Sequence, residues 1–584
     1  MARQTAVEPS SCHRLGAERS SWSRPAKRTL GAFGLVATLA LQACGGNDSP
    51  DPGLLSTQGS AALACPALSG YVLDASKIGL PTTGGSVTSA SLVAASAAGN
   101  SNGEYCLVKG ALHPIDRTAP DIQFELNIPT SWNHRALQLG GGAYNGTVVT
   151  GLAGITFAPL ATTPLARGYA TYGSDSGHQG ALPVPATDAS FALNAESLVN
   201  YGYASIKKTH DAAAMVLKAY FGSDVSYKSY FAGGSTGGRE ALTAVQRFPA
   251  DYDGVFAGSP TANFSGLRMI GMPVGQQAYG PAGGYLNPAK QALVLQSSVA
   301  ACDLLDGVAD NIVSNVPACQ AKAAATMASL RCAGGVDTGN TCLSDAQLSV
   351  VNTLHAGLTL PYAMPDNATT YPGYNAFEGT DFSNNAATLG LGSSAALLLA
   401  PTTSTNGYLF AQAAQWVRYF VTQNPTYDLL AFDPLHPGIY QQRVTDLSAI
   451  VGATNPDLSA FQARGGKLMM LQGLADSAVS PNATILLYNS FVQKMGQTSL
   501  NGFVRFYQVP GMGHGVGVFV PSWDVLSALD AWVTSGTAPG TLTGTDTATA
   551  TAGRTRPLCV YPAWPKYNGS GDVNQASSFT CSTT

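Results

Sequence analysis

Tyr230-Phe231-Ala232-Gly233-Gly234-Ser235-Thr236-Gly237-Gly238-Arg239-Glu240 is the stretch on which the fold turns. An apolar run ends in Gly233-x-Ser235-x-Gly237, and an amphipathic helical pattern follows to Phe248. Strand, sharp turn and helix in that order define a nucleophile elbow, in which a serine stands exposed at the end of a sheet strand. The glycines follow from sterics, because side chains two residues either side of the serine would collide in so tight a turn. A helix that opens just after the serine also aims backbone N–H groups at developing negative charge. A chain with 65 glycines meets the bare pattern by chance, so the strand and helix around it carry the weight.

Outward from the elbow, strand-like runs bounded by Gly or Pro occur at Tyr105 to Leu112, Ile122 to Ile128, Ala136 to Leu139 and Tyr169 to Tyr172. A helix is predicted from Ser205 to Phe221, then a strand at Ser229 to Ala232, a helix at Arg239 to Phe248 and a strand at Gly254 to Ala257. This alternation predicts an α/β fold with a mostly parallel sheet covered on both faces. From about residue 262 the alternation fails. It resumes at Lys467 to Gln472, Val504 to Val509 and a helix from Ser522 to Val533. The organisation expected is one core in two parts, 65–261 and 461–584, interrupted by an inserted lid at 262–460.

A serine hydroxyl needs a base. In α/β hydrolases the histidine follows the last core strand and the acid precedes it. His514, in Val509-Pro510-Gly511-Met512-Gly513-His514-Gly515, lies directly after the strand ending at Val509. His210 falls inside a helix, His113 and His134 precede the nucleophile, and His178 is the competitor that would line the pocket. Asp476, in Leu471-Gln472-Gly473-Leu474-Ala475-Asp476, follows the preceding strand and would hold the imidazole tautomer. Asp457 and Asp530 are the alternatives, at the lid boundary and in a helix. The oxyanion hole needs two backbone donors, for which Thr236 and Gly140, in Gly140-Gly141-Gly142, are the candidates.

The elbow, Gln246-Arg247-Phe248-Pro249, Tyr252-Asp253-Gly254-Val255, Arg464-Gly465-Gly466-Lys467, the His514 loop and Arg554-Thr555-Arg556-Pro557-Leu558-Cys559 together resemble the tannase/feruloyl esterase family. That family includes hydrolases of mono(2-hydroxyethyl) terephthalate, and the resemblance spans roughly residues 65–584. It implies an α/β-hydrolase core, a large lid, hydrolysis of aromatic esters, and the triad Ser235, Asp476, His514. It further implies a structural Ca²⁺ in Cys302-Asp303-Leu304-Leu305-Asp306-Gly307-Val308-Ala309-Asp310-Asn311-Ile312. There Asp303, Asp306 and Asp310 would bind through side chains, and Val308 and Ile312 through carbonyls, as a hard cation prefers. One departure stands out: the family carries a disulfide between the positions of Gly234 and Gly515, and this chain has glycine at both.

Charged residues make up only 11% of the 584, while Gly and Pro number 65 and 34, which describes a loop-rich globular enzyme. No basic stripe exists, so nucleic acid is not an expected partner. Residues 1–43 read as an export signal: six basic residues, the apolar run Thr29 to Leu41, then Leu41-Gln42-Ala43-Cys44. That end resembles a lipobox with Cys44 as the lipidated residue, although Gln42 departs from the usual small residue. Membrane attachment would then run through a lipid on Cys44 and a tether at 44–64, with secretion the alternative. The remainder has net charge −8. Eight further cysteines argue for disulfides in an exported chain, in the adjacent pairing Cys65–Cys106, Cys302–Cys319, Cys332–Cys342 and Cys559–Cys581.

The function expected is that of an exported monomeric serine esterase acting on small aromatic esters. Neutral phenolic esters rank above terephthalate monoesters, because the lid stretch Asn406 to Gln412 holds no arginine and Arg418 is the nearest. A terephthalate-monoester or aliphatic esterase is the enzymatic alternative, and an aromatic-binding surface lipoprotein the non-enzymatic one.

Overall fold

A computed structural model of the chain describes residues 63–180, 185–383, 387 and 389–584. The described residues fall in one compact unit. The expected export signal, and Cys44 with most of the tether, lie outside them.

Thirteen strands form one sheet. Its centre holds six parallel strands in the spatial order Ala170–Ser174, Arg135–Leu139, Lys228–Gly234, Gly254–Gly258, Lys467–Gly473 and Val504–Val509. Consecutive side chains along these strands point to opposite faces, and both faces are dry. Tyr230, Phe256, Met469, Leu471 and Tyr507 pack under Val525, Leu529 and Trp532 of the helix Val525–Ser535. Their neighbours Phe231, Val255, Leu468, Met470 and Phe506 pack against Leu242 and Val245 of the helix Thr236–Arg247, and Leu487 and Phe491 of Pro481–Met495. Burial on both sides is why these strands read as continuous apolar runs.

The sheet is mixed rather than mostly parallel, which corrects the expectation. Gly85–Val93, Tyr105–Leu112 and Ile122–Pro129 add antiparallel strands at one edge, and Thr555–Val560, Leu542–Asp546 and Pro521–Ser522 do so at the other. No helix intervenes within the first run, and a connection without a crossover can only turn back antiparallel.

Between Gly258 and Lys467 the chain leaves the sheet and forms a helical insertion whose apolar core is shared with Tyr144, Leu198, Tyr201 and Val479 outside it. Local sequence starts these helices cleanly. Asn263 caps Phe264–Tyr279 by accepting from Gly266 N, and Asn287 caps Pro288–Cys302 with proline at its first position. Ser344 and Gln347 close a capping box on Asp345–Ala356. All four expected disulfides form, with Cα separations of 5.7, 5.3, 4.9 and 5.6 Å.

The parallel registers pair Gly234 with Gly258, Gly258 with Leu471, and Gly473 with Val509. Adjacent strand ends therefore stand level, and the loops carrying Ser235, Asp476 and His514 leave the sheet side by side.

Candidate active site

Ser235 adopts φ 60°, ψ −121°, a backbone state that only a built turn imposes on a non-glycine residue. Its N–H donates to Gly258 O at 2.9 Å, and its carbonyl accepts from Arg239 N at 3.0 Å and Thr261 N at 3.2 Å. The glycines are demanded by contact: a Cβ at Gly233 would sit 2.4 Å from Gly237 O, and one at Gly237 would sit 2.7 Å from Gly141 O.

Asp476 is fully buried. Its Oδ1 accepts from Ala478 N and Val479 N, both at 2.8 Å, and its Oδ2 pairs with His514 Nδ1 at 2.8 Å. A carboxylate bonded this way only accepts, so Nδ1 carries the proton and Nε2 keeps its lone pair for work as a base. The histidine loop is tied to the acid loop through Ala475 N to Met512 O, and the turn is closed by Gly513 N to Val516 O. Asp457 instead meets Lys494, and Asp530 pairs with Arg135. Neither competes for His514.

His178 does not line up with the serine. It stacks on Phe191 at 3.7 Å, and its Nε2 donates to Tyr144 O at 2.8 Å. Burial lowers its pKa to about 4, so it is neutral and braces the glycine turn from below. His210 packs in its helix and bonds the Tyr172 hydroxyl.

The expected donor Gly140 is taken: its N–H donates to Ala232 O at 3.0 Å. Gly141 N donates to Glu240 Oε2 at 3.0 Å. Among the described residues the N–H groups of Gly142 and Thr236 have no partner. Gly140 is held too tightly against the neighbouring strand to serve, and the free donor lies two residues on. Glu240 was missed from sequence. Buried, it also accepts from Asn145 Nδ2 at 2.6 Å and so fixes this turn, and burial raises its pKa. Its signal was present in the elbow motif, one helical turn beyond the nucleophile.

The Asp303–Ile312 segment bends at Gly307, with φ 98°. Asp310 N donates to Asp303 and Ile312 N to Asp310, while Arg556 forms an ion pair with Asp310. Asp306 is buried, and its Oδ2 has no partner. An unsatisfied carboxylate oxygen among two further carboxylates fits a hard cation, with Arg556 offsetting part of the charge. A cavity of about 1070 Å³ opens between this segment and the acid and histidine loops, walled by Asp303, Asp310, Ala475, Ser477, Gly513 and Val516.

Two residues had no signal in sequence. Arg268, on the first helix of the insertion, is 1% exposed, and among the described residues none of its three side-chain nitrogens makes a well-formed hydrogen bond. It lies over the rings of Tyr144 and Phe264 at 5.0 and 4.5 Å. Phe157 packs its ring edge-to-face on His514 at 5.0 Å. It also fills the space before Gly234 and Gly515, where a Cβ would meet it at 2.5 and 3.2 Å. The ring therefore occupies ground that a bridge between those positions would cross.

A serine at an elbow and a buried aspartate bonded to a histidine, on neighbouring strand ends of a doubly covered sheet, make the arrangement of an α/β hydrolase. The chain is a carboxylic ester hydrolase, and it belongs to the family described as tannase and feruloyl esterase, whose profile matches residues 106–582. It is 42% identical to an uncharacterized esterase of Agrobacterium fabrum over 89% of this chain and 93% of that one. It is 32% identical to the mono(2-hydroxyethyl) terephthalate hydrolase of Piscinibacter sakaiensis over 82% and 85%. The fold matches feruloyl esterase B from Aspergillus oryzae with a TM-score of 0.69 at 24% identity, covering 86% of this chain and 98% of that one.

Proposed function

We propose that the chain is an exported serine esterase of aromatic acid esters, working through an acyl-enzyme on Ser235. The observation that carries this is the 2.8 Å Asp476–His514 bond, made at the strand ends from which Ser235 also emerges. His514 Nε2 takes the Ser235 proton as Oγ attacks the ester carbonyl. The N–H groups of Thr236 and Gly142 receive the oxyanion, a reading supported by the engagement of Gly140 and Gly141 elsewhere. The imidazolium then protonates the departing alcohol, and the neutral ring activates the water that frees the acid. The helical insertion serves as the lid over this site. Four disulfides support export, and among the described residues no helix is long and apolar enough to cross a membrane. A structural Ca²⁺ held by Asp303, Asp306, Asp310 and the carbonyls of Val308 and Ile312 would supply charge neutralisation, and Asp306 Oδ2 supports it.

A second reading, an ester that keeps a free carboxylate, is favoured by Arg268. Arg418 is occupied, donating to Leu399 O and Tyr427 O, whereas Arg268 makes no well-formed hydrogen bond among the described residues and meets only the tyrosine hydroxyls of Tyr144 and Tyr408. The test is kcat/KM on methyl ferulate, methyl gallate, a terephthalate monoester and p-nitrophenyl butyrate, with Ser235→Ala alongside. Ser235→Ala is expected to lose up to about a million-fold in turnover. Butyrate preferred tenfold over every aromatic ester would refute the substrate class, and an active Ser235→Ala would refute the nucleophile.

A further inference from the structure

Phe157 holds a costly conformation. Its φ is 65°, in the left-handed region where a bulky side chain is an outlier and glycine is the ordinary occupant. The turn that contains it is tight, with Ala158 N donating to Ile155 O at 3.1 Å, and Trp523 Nε1 donates to the Phe157 carbonyl at 3.2 Å. Nothing in that turn calls for an aromatic side chain. The reason lies above it.

Three glycines face the ring, two at the ends of neighbouring strands and one on the histidine loop. A Cβ at Gly234, just before the nucleophile, would stand 2.5 Å from the ring, and one at Gly258 2.8 Å. At Gly515, just after the histidine, the distance would be 3.2 Å. The absent side chains leave a notch shaped to a phenyl ring, and the ring in it meets the imidazole of His514 edge-to-face at 5.0 Å. Aromatic pairs at this separation prefer that geometry, so the contact fixes the plane of the imidazole as well as its position. The Asp476 bond holds the other side of the ring at Nδ1. A ring pinned by one hydrogen bond alone still swings about it, and a second contact removes that freedom.

We infer that Phe157 is a positioning residue, a wedge between the nucleophile and histidine loops that orients the His514 imidazole toward Ser235. The inference rests on the reading of Ser235, His514 and Asp476 as the triad. Phe157 itself takes part in no bond-making step.

The backbone strain makes the test sharp. Phe157→Gly removes the ring while relieving the left-handed strain, so part of the lost packing is offset. Phe157→Leu keeps apolar volume without a flat ring. Both are compared with Ser235→Ala in kcat, KM, pH–rate profile and the rate of labelling by a fluorophosphonate, which needs the same serine and base. For Phe157→Gly the expected result is a fall in kcat of about tenfold to a hundredfold, the cost of a small misplacement. KM should stay within about twofold, labelling should slow in proportion to kcat, and the neutral-pH plateau should give way to a rate rising with hydroxide. Phe157→Leu should lie between Phe157→Gly and wild type. Wild-type kcat in Phe157→Gly, or a loss confined to KM, overturns the inference. So does an unfolded Phe157→Gly whose folded companion Phe157→Leu runs at the wild-type rate. An active Ser235→Ala overturns the triad reading instead, which keeps the two failures apart.

Discussion

Two buried guanidinium groups lie over the ring of Phe264: Arg239 of the core helix at 5.6 Å and Arg268 of the insertion at 4.5 Å. Arg239 donates to the carbonyls of Gly202, Tyr201 and Val451 at 2.7 to 3.1 Å. Arg268 makes no well-formed hydrogen bond among the described residues, and its charge faces the hydroxyls of Tyr144 and Tyr408. The same contrast separates two buried carboxylates. Asp476 in the core has partners on both oxygens, whereas Asp306 in the insertion leaves Oδ2 bare. Leaving a buried polar atom unpaired costs about 1–3 kcal/mol, and more for a charged one. At these pairs the core bonds most of its buried charge within the chain, with Arg239 Nε the exception, and the insertion leaves more of its buried charge unpaired among the described residues.

The largest effect that would break this contrast lies at Asp476. Asp476→Asn keeps the shape but offers His514 the wrong tautomer, so turnover should fall on the order of ten-thousand-fold with the fold intact. Near-wild-type rates would mean that the completed bonding of the core has nothing to do with catalysis. The arginines give the direct comparison. Arg239→Met strands three main-chain carbonyls, and a loss of about 3 kcal/mol or more in urea unfolding is expected. Arg268→Met strands none, so stability should hold or rise, while kcat/KM for a terephthalate monoester falls relative to methyl ferulate. Equal destabilisation by both would place Arg268 among the structural residues.

How much of this was legible in sequence follows the same line. The sharp turn at Ser235, the meeting of Asp476 with His514 and the disulfide pairing were readable because tight turns and short covalent spans impose local patterns. So were Ser205–Phe221 and Val504–Val509, whose bounds match their apolar periods. The engagement of the Gly140 N–H was not foreseen because three consecutive glycines look alike until a neighbouring strand claims one of them. The antiparallel edges were missed because pairing direction depends on what the connection contains, not on the strand. Phe157 and Arg268 left no trace, since Phe157 meets glycines 77 or more positions away and Arg268 meets Tyr144, neighbours that only the folded chain brings near.

The bare Asp306 oxygen offers a smaller test of the insertion. If Ca²⁺ is its partner, EDTA should lower the melting temperature and added Ca²⁺ restore it, because the ion binds the folded segment alone. At a free concentration a hundred times Kd the linkage is worth about 2.7 kcal/mol. Asp306→Asn should melt lower without EDTA and respond less to it. An EDTA-insensitive melt, with no calcium found by elemental analysis of the purified protein, would remove the ion and leave the countercharge to Arg556 and its neighbour Arg554.

The smallest effect concerns a core group that strains the contrast. Asp175, beneath the glycine turn, is 1% exposed, and burial raises its pKa to about 7 from 3.8. Its Oδ1 accepts from Gly177 N at 2.9 Å and Gln123 N at 3.2 Å, and its Oδ2 from Gln179 Nε2 at 2.6 Å, but among the described residues no cation pairs with it. The folded state therefore keeps a proton that the unfolded chain has already released. Stability contributed by this residue is intact below about pH 4, falls as pH rises towards about 7, and is flat above that. Three pKa units set a ceiling of about 4 kcal/mol, which hydrogen-bond relaxation will reduce. Asp175→Asn keeps an oxygen for the two backbone donors and cannot ionise. Its stability relative to wild type should be unchanged or lower at pH 4, should climb between pH 4 and 7, and should level off beyond, as read by urea midpoints at constant ionic strength. A difference independent of pH would show that Asp175 is ionised in the folded enzyme across this range, its charge carried by hydrogen bonds alone.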